Sequence, residues 1–314
     1  MLITLFITGA TLAGSALTGQ PAPSTPSVWA FPANATHAYT QTIEQTVTGE
    51  GSLADSSTLS HTIDFSHAFA KDAATNTHTL TQTLTRLASK GTVAGTDFSL
   101  DTAAPAPDPA SPQAAADRAL RLLLIRPLTA TIASDGTPSN VKGSAEVWAD
   151  LRETAKAQPA VAAVLDQFAS LASPEAAART IAATYAVLPP KGSTSNTWTT
   201  TSTTPLPGLG TLTATTSHTI AQSEPTLWRI TTSSTFAFSP DESSAIGKAL
   251  VVRLADSSAS AELFVSPDPG RLVRADSTVT LSLSFTPRQQ GATPSTQKVV
   301  TRTTLRPASE QSKP

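Results

Sequence analysis

The sequence contains no cysteine and few charged residues. Without thiols the chain can form no disulfide, use no thiol nucleophile, ligate no zinc through cysteine and carry no lipoprotein-type cysteine anchor. Charged residues make up 14% of the chain, against roughly 25% in an average domain. Because the net charge is only −2, no basic field exists that would attract nucleic acid or an anionic membrane. The 39% of hydrophobic residues is enough for a globular core.

Catalytic signatures are also missing from the sequence. It contains no nucleophile-elbow serine, no phosphate-binding loop and no dinucleotide fingerprint. Ser139 and Lys142 have the spacing of a serine–lysine acylase, but they lie in a predicted strand rather than at a helix start, and no Lys-Thr-Gly accompanies them. We therefore expect no catalytic residue, no cofactor and no enzymatic activity.

An apolar run opens the chain. Residues 1–19 are apolar and small, and Gly14-Ser15-Ala16 offers a small-x-small cleavage site. The run is shorter than the about 20 residues of a membrane span, so we interpret it as a signal peptide, although its first residues include no Lys or Arg. An uncleaved anchor and a buried strand are the alternatives. The interpretation predicts an exported bacterial protein, periplasmic or extracellular, without a membrane span after cleavage. A linker rich in Pro, Ala and Ser is predicted over 20–35.

Two segments of alternating residues flank a helical middle. In 36–101 and again in 195–305, apolar residues alternate with threonine and serine, which is typical of strands with one buried and one solvated face. Residues 111–188 show helical periodicity instead. The pattern predicts an α+β fold, in which a large curved antiparallel sheet, or half-open barrel, is built from two β runs with the helices inserted between them. We expect a single domain over 36–306, followed by a disordered tail at 307–314.

The middle segment carries repeated helix-start signals. Ser111, Ser144 and Ser173 each stand where a cap is expected, and the first and last are followed by proline. A further helix is predicted over 161–171 from apolar residues spaced three and four apart. Because each helix is apolar on one face, we expect the helices to pack on the sheet. A membrane-surface or partner-binding role is the alternative.

The second and third strands of the first run are predicted to form a hairpin across 70–75. For their apolar faces to coincide, only every second register is allowed, because side chains alternate with a period of two. One allowed register places His67 opposite His78 and Phe65 opposite Leu80. A shift of that register by one step separates the two histidines by one pair along the same face.

The inner face of the first β run mixes polar and apolar side chains. This mixture is typical of a ligand cavity, but also of a sheet edge near solvent. The residues predicted to bind a ligand are His37, Tyr39, His61, Phe65, His67, His78, Gln82 and Arg86.

The histidines could also ligate a metal, since all five, including His218, fall on the apolar sides of their strands. Asp64, however, has the wrong parity to face the same side as His61 and His67. We therefore expect no metal, and interpret the histidines as side chains that bond to neighbouring threonine and glutamine.

The order of segments resembles an uncharacterised family of secreted, β-rich bacterial proteins from planctomycete-type genomes. The resemblance rests on the turn Ser134-Asp135-Gly136-Thr137 before the second helix and on the step from Pro189-Pro190 to Asn196-Thr197-Trp198 at the start of the second β run. The architecture is also similar to the half-open barrels of periplasmic lipoprotein carriers. That similarity implies helices that cover an apolar concave sheet.

Three functional hypotheses follow. The first is an exported, non-catalytic binding or carrier module whose partner is an apolar small molecule. The second is a structural or interaction component of the cell envelope, whose partner is an envelope protein. The third is a metal-dependent hydrolase built on the histidines. Neither of the first two hypotheses involves nucleic acid.

Overall fold

The computed structural model describes most of the chain. The described residues are 28–31, 34–51, 56–72, 77–93, 95–111, 113–157, 174–190, 193, 195–206, 208–268, 270–289 and 293–308. The predicted signal peptide at 1–19, the predicted helix at 161–171, and most of the predicted linker and tail lie outside these residues.

Thirteen strands of the described chain form one antiparallel sheet. The strands are β1 (Thr36–Glu50), β2 (Ser56–Asp72), β3 (Thr77–Val93), β4 (Thr96–Asp101), β5 (Leu128–Ile132), β6 (Pro138–Lys142), β7 (Thr197–Leu206), β8 (Gly210–Glu224), β9 (Leu227–Pro240), β10 (Leu250–Leu254), β11 (Ser258–Ser266), β12 (Arg271–Pro287) and β13 (Ser295–Pro307). The main order is β6-β5-β3-β2-β1-β13-β12-β11-β9-β8-β7, while β4 pairs with β3 and β10 with β12. The two predicted β runs are joined by pairing between β1 and β13.

Four helices are described: α1 (Ala114–Leu123), α2 (Ser144–Ala157), α3 (Pro174–Tyr185) and α4 (Ala245–Ala249). The first three lie between the β runs, which confirms the predicted α+β layout with a large curved antiparallel sheet. At the start of α2 the backbone N–H of Gly143 donates to the Glu146 carboxylate over 3.0 Å, so an acid three residues on caps this end. None of the helices in the described part of the chain has the length and apolar character needed to cross a membrane.

The alternation of residues separates a concave face from a convex face. In β1 the side chains of Tyr39, Ile43 and Val47 are buried, while Thr46 and Thr48 between and beyond them are exposed. Threonine suits this second face because its branched side chain favours extended backbone and its hydroxyl remains hydrated.

Ion pairs run across the convex face. Glu262 on β11 contacts both Arg229 on β9 and Arg274 on β12, and Asp276 contacts both Arg274 and Arg306. These side chains are partly exposed, so each pair adds little stability. These charged side chains keep the convex face solvated, so the concave face is the one that is buried.

The concave face carries the main core. α3 contributes to it from the helical side, and the short segment 28–31 contributes from the N-terminal side. Its buried residues are Trp29, Phe31, Tyr39, Phe65, Phe69, Leu80, Ala130, Ile132, Ile181, Tyr185, Val187, Leu188, Ile220, Ile230, Leu263, Val265, Leu272 and Leu305. A second core joins β7, β8, β10 and β12, and a small third one joins α1 to α2. The expectation that the helices pack on the sheet is therefore met by α3, which closes part of the concavity.

The register of the β2–β3 hairpin differs from the one that would pair the two histidines and from the one that would separate them by one pair. His67 lies opposite Gln82, and His78 lies opposite Lys71. The difference arises because β2 continues through exposed Lys71 and Asp72, beyond Phe69, its last buried residue. A hydrophobic pattern decides which face is buried, but does not mark where a strand ends.

Candidate functional site

Five of the eight predicted ligand-binding residues lie together on the concave face. His37 is paired with His67 across β1 and β2, and Tyr39 is paired with Phe65. Gln82 lies opposite His67 on the other side, in β3. The His67 ring centroid is 4.9 Å from that of Phe65 and 5.5 Å from that of Tyr39. Neighbouring positions on three adjacent strands thus build one patch.

A residue that was not predicted for the site completes it. Tyr185, the last residue of α3, is fully buried, and its hydroxyl lies 2.6 Å from Nδ1 of His67. The helical periodicity predicts only that each helix of the middle segment has one apolar face, and it does not distinguish Tyr185 from the other residues on that face. A tyrosine on a stripe that faces a histidine-bearing sheet is the signal that could have found it. We call His37, Tyr39, Phe65, His67 and Tyr185 the histidine–tyrosine cluster.

The segment 28–31 forms an aromatic cover over this cluster. Trp29 Nε1 donates a hydrogen bond of 2.6 Å to the Tyr185 carbonyl. The Phe31 ring stacks on Phe69, with 4.6 Å between centroids. The backbone N–H of Ala30 donates to the carbonyl of Pro267 over 2.8 Å. The last part of the stretch predicted as a linker therefore contributes buried residues to the core.

Two tight turns allow the aromatic cover to fit. Gly136 has a φ of +87°, and a Cβ there would lie 1.9 Å from the Tyr185 carbonyl oxygen. Gly270 has a φ of +65°, and a Cβ there would lie 2.8 Å from the Phe31 backbone. Only glycine allows both the left-handed backbone and this close approach. The β5–β6 and β11–β12 turns thus hold Tyr185 and Phe31 in place.

Burial keeps the cluster uncharged at neutral pH. It lowers the pKa of His67 to about 4 and raises the pKa of Tyr39 to about 12. Burial also raises the pKa of Tyr185 above its usual value. It lowers the pKa of His37, and the positive charge of Arg271 lowers it further. The cluster therefore presents neutral hydrogen-bonding groups, because the charged forms would lose their hydration.

Several polar atoms of the cluster are buried without a hydrogen-bond partner among the described residues. They include Nε2 of His37, Nε2 of His67 and the Tyr39 hydroxyl. The Tyr39 hydroxyl is near the Tyr185 side chain and the Leu272 backbone, and the His67 ring is near the Gln82 side chain, but Tyr39 and Nε2 of His67 are outside hydrogen-bond geometry. Burying such groups unpaired costs about 1–3 kcal/mol each. Native structures rarely leave them so, which points to a water molecule or a ligand group at this position.

Arg271 adds a positive charge at the rim of the cluster. It is the first residue of β12 and is exposed, and its charge acts on both His37 and Tyr39. It forms no ion pair with another described residue. The guanidinium therefore lies near enough to the cluster for its charge to act on His37 and Tyr39, and it has no ion pair among the described residues.

The remaining histidines lie elsewhere. His61 is six residues along β2 from His67, which is about 20 Å in a strand. His78 packs beside Phe31. His218 stacks on Trp198, with 4.9 Å between centroids, and its Nε2 lies 2.8 Å from the Thr200 hydroxyl. In the described ranges no group of three or more His, Cys, Asp or Glu has a metal-binding arrangement.

Arg86 does not join the site, and its expected inward orientation was wrong. The pairing of β2 with β3 shifts by one residue between Asp64 and Phe65, so that Asp64 lies opposite Arg86. This bulge reverses which face the following residues take. The Arg86 guanidinium instead makes two hydrogen bonds to Asp101, of 3.0 and 2.6 Å, and holds the pKa of that carboxyl down at about 2.

A cleft beside α1 is a second depression in the surface, lined by residues such as Pro107, Leu122 and Ile125. Two of its polar side chains, Asp117 and Arg121, are bonded to each other. Arg121 contacts the Asp117 carboxylate in two places and donates to the carbonyls of Thr102 and Ala104. These bonds tie the segment after β4 to α1, so the cleft carries a structural interaction.

Comparisons with known proteins place the chain in a family and find distant structural likenesses. No curated protein matches the sequence. A chain from the structure "Lipid-protein interactions in lipovitellin" aligns with 90% of this chain at 11% identity and a TM-score of 0.47. This chain spans only 26% of that one.

Two bacterial structures show weaker likeness. DynF from the dynemicin biosynthesis pathway of Micromonospora chersina aligns with 97% of this chain and 98% of its own, at 7% identity and a TM-score of 0.22. The COG4313 outer membrane channel from Pseudomonas putida F1 aligns with 92% of this chain and 99% of its own, at 8% identity and a TM-score of 0.23.

A family model matches residues 75–255, which is more than half of the sequence. The chain therefore belongs to the family of unknown function DUF6263.

Proposed function

We propose that this chain is an exported bacterial binding module, from a planctomycete-type organism, which holds an acidic amphipathic small molecule at the histidine–tyrosine cluster. The observation that carries the proposal is the set of buried polar atoms on His37, Tyr39 and His67 that lack a hydrogen bond among the described residues, within reach of the charge of Arg271, which has no ion pair with another described residue. A ligand carboxylate or similar group would satisfy these atoms. Its apolar part would contact the aromatic side chains around them.

The chemistry of the rim favours an anionic head group. An arginine binds a carboxylate through two parallel hydrogen bonds, and such charge-assisted bonds are stronger than neutral ones. The Tyr39 hydroxyl can donate to the same anion, and neutral His37 can donate through Nε2–H. Phe31 and Phe69 stack on each other nearby and add apolar side chains to the surroundings of the cluster. The site thus combines one cation, neutral donors and an apolar wall.

The same features argue against catalysis at the cluster. A general base works best when its pKa lies near the operating pH, whereas burial lowers that of His67 to about 4. Among the described residues neither a thiol nor a carboxylate belongs to the cluster, and burial keeps its histidine and tyrosine side chains neutral. We therefore propose a binding role rather than an enzymatic one.

Export is proposed from the sequence of the first 19 residues. Their apolar composition and the small residues at Gly14-Ser15-Ala16 support cleavage by a signal peptidase. A periplasmic or extracellular location suits a carrier, because an amphipathic molecule needs protection from water between membranes. An envelope protein as the partner is the competing proposal, and the convex, threonine-rich face would serve it.

Titration with a fluorescent fatty-acid analogue tests the proposed site. Replacing Arg271 by glutamine is expected to weaken binding about tenfold or more, since hydrogen bonds to charged groups contribute about 1.5–3 kcal/mol. Arg302→Gln is the matched control, because Arg302 is exposed on β13 and points away from the buried face of the sheet. Its affinity should equal that of the unmodified protein.

A neutral analogue with the same tail separates head-group recognition from simple hydrophobic contact. The amide of the same fatty acid should bind the unmodified protein about as weakly as the acid binds the Arg271→Gln variant. Binding of the acid that is undetectable, or equal in the Arg271 and Arg302 variants, would refute the proposal. Equal affinity for acid and amide would refute the anionic head group.

A further inference from the structure

The two ends of the sheet are built differently. At one end, β6 has only five residues, begins with Pro138 and ends with Lys142. Its pairing with β5 is irregular, and Asn140 has a φ of 50°. A short strand, proline, lysine and a distorted backbone are the features by which proteins stop an edge strand from pairing with another chain.

At the other end, β7 lacks nearly all of these features. It has ten residues, none of them charged, and it pairs with β8 without any register shift. The side chains from Thr199 to Thr203 are exposed on both faces of the sheet. Pro205 interrupts the strand only near its end. Within the described chain β7 pairs with β8 alone, so its other edge presents a straight row of backbone donors and acceptors.

We propose that the β7 edge is the surface through which two copies of this chain associate. The two β7 strands would pair antiparallel about a two-fold axis and extend the sheet across the dimer. This inference goes beyond the binding function and rests on different residues, since none of the histidine–tyrosine cluster lies on β7.

A second copy fits this edge better than a different partner does. Because β7 carries no charge, it can lie beside itself without repulsion between like charges, and it has no charge that a partner of opposite sign could match. A two-fold axis also places the same patch on both subunits. An antiparallel pair of the central threonines would oppose β-branched residues that favour each other across strands. Trp198 and Pro205 bracket the stretch that can pair.

The oligomeric state of the full chain tests this surface. Sedimentation equilibrium from low to high micromolar concentration should show a monomer–dimer equilibrium for the unmodified protein. The double variant Thr199→Lys/Thr201→Lys should raise the dimer dissociation constant at least about tenfold, because it places lysines on the exposed edge. A protein that is monomeric throughout, or an edge variant that dimerises normally, overturns the proposal.

The matched control introduces the same two lysines on the same face of the sheet, but on β8 instead of β7. Ser217 and Thr215 are exposed and lie directly opposite Thr199 and Thr201 on β8. The variant Thr215→Lys/Ser217→Lys should therefore dimerise like the unmodified protein, and equal weakening in both double variants would overturn the proposal.

Hydrogen–deuterium exchange on the unmodified protein provides a second measurement that needs no variant. Amides within 197–206 should exchange more slowly as the protein concentration rises. Protection that does not depend on concentration contradicts the proposal, as does assembly into open-ended polymers rather than dimers.

Discussion

Replacing Trp29 by alanine is expected to lower the free energy of unfolding by about 3–5 kcal/mol, the usual cost of a truncated buried aromatic residue. Trp29 is only 3% exposed, stacks on Phe31 with 5.6 Å between centroids and donates a hydrogen bond to the Tyr185 carbonyl. Truncation removes these contacts and leaves a buried carbonyl unpaired. Urea unfolding followed by circular dichroism measures the change.

Two further variants separate the contribution of the apolar contacts of Trp29 from that of its hydrogen bond and provide a control. Trp29→Phe keeps most of the apolar contact but loses the hydrogen bond, so it should cost about 1–3 kcal/mol. Val28→Ala, at a neighbouring side chain that is 42% exposed, should change stability by at most about 0.5 kcal/mol. If Trp29→Ala cost no more than Val28→Ala, the aromatic cover would not be part of the folded core.

The second large effect is a loss of stability as the pH falls from about 6.5 towards 4. Burial lowers the pKa of His67 and of His218 to about 4 in the folded protein, whereas an unfolded histidine titrates near 6.5. Between these values the unfolded chain binds more protons, so stability is complete above pH 6.5 and declines below it. The difference corresponds to about 3 kcal/mol for each residue.

A double variant isolates these two histidines. Asparagine at position 67 can replace Nδ1 towards Tyr185, and glutamine at position 218 can replace Nε2 towards Thr200. Urea unfolding at a series of pH values should show a clearly shallower decline for His67→Asn/His218→Gln. A decline should remain, because burial also lowers the pKa values of His37, His61 and His78. Equal pH dependence in both proteins would mean that the two histidines are not buried as described.

The faces of the sheet could be predicted because strand periodicity is a local property. Thr46 and Thr48 are exposed and Val47 is buried, as the alternation in the first strand indicates. The start of α3 at Pro174 also follows from a local sequence signal, a serine followed by proline. These features depend only on neighbouring residues, so the fold class followed from them.

The site depended on features that no local pattern carries. The bulge beside Asp64 reverses the faces of β3, which turned Arg86 outwards. The contact between His67 and Tyr185 joins residues 118 positions apart. Burial of Trp29 and Phe31 could not be read from a stretch rich in proline and alanine, because their partners lie on distant strands. Tertiary packing decides such positions.

Native mass spectrometry of the full-chain product, recovered from the exported fraction without detergent, distinguishes an exported protein that carries a ligand from one that is empty or retained in the cell. We expect a mature mass consistent with cleavage near Ala16 and, on each chain, an adduct of several hundred daltons. The Arg271→Gln variant should lose the adduct while Arg302→Gln keeps it. An uncleaved chain confined to the cell interior, or a mature chain that never carries an adduct, would refute the proposed function.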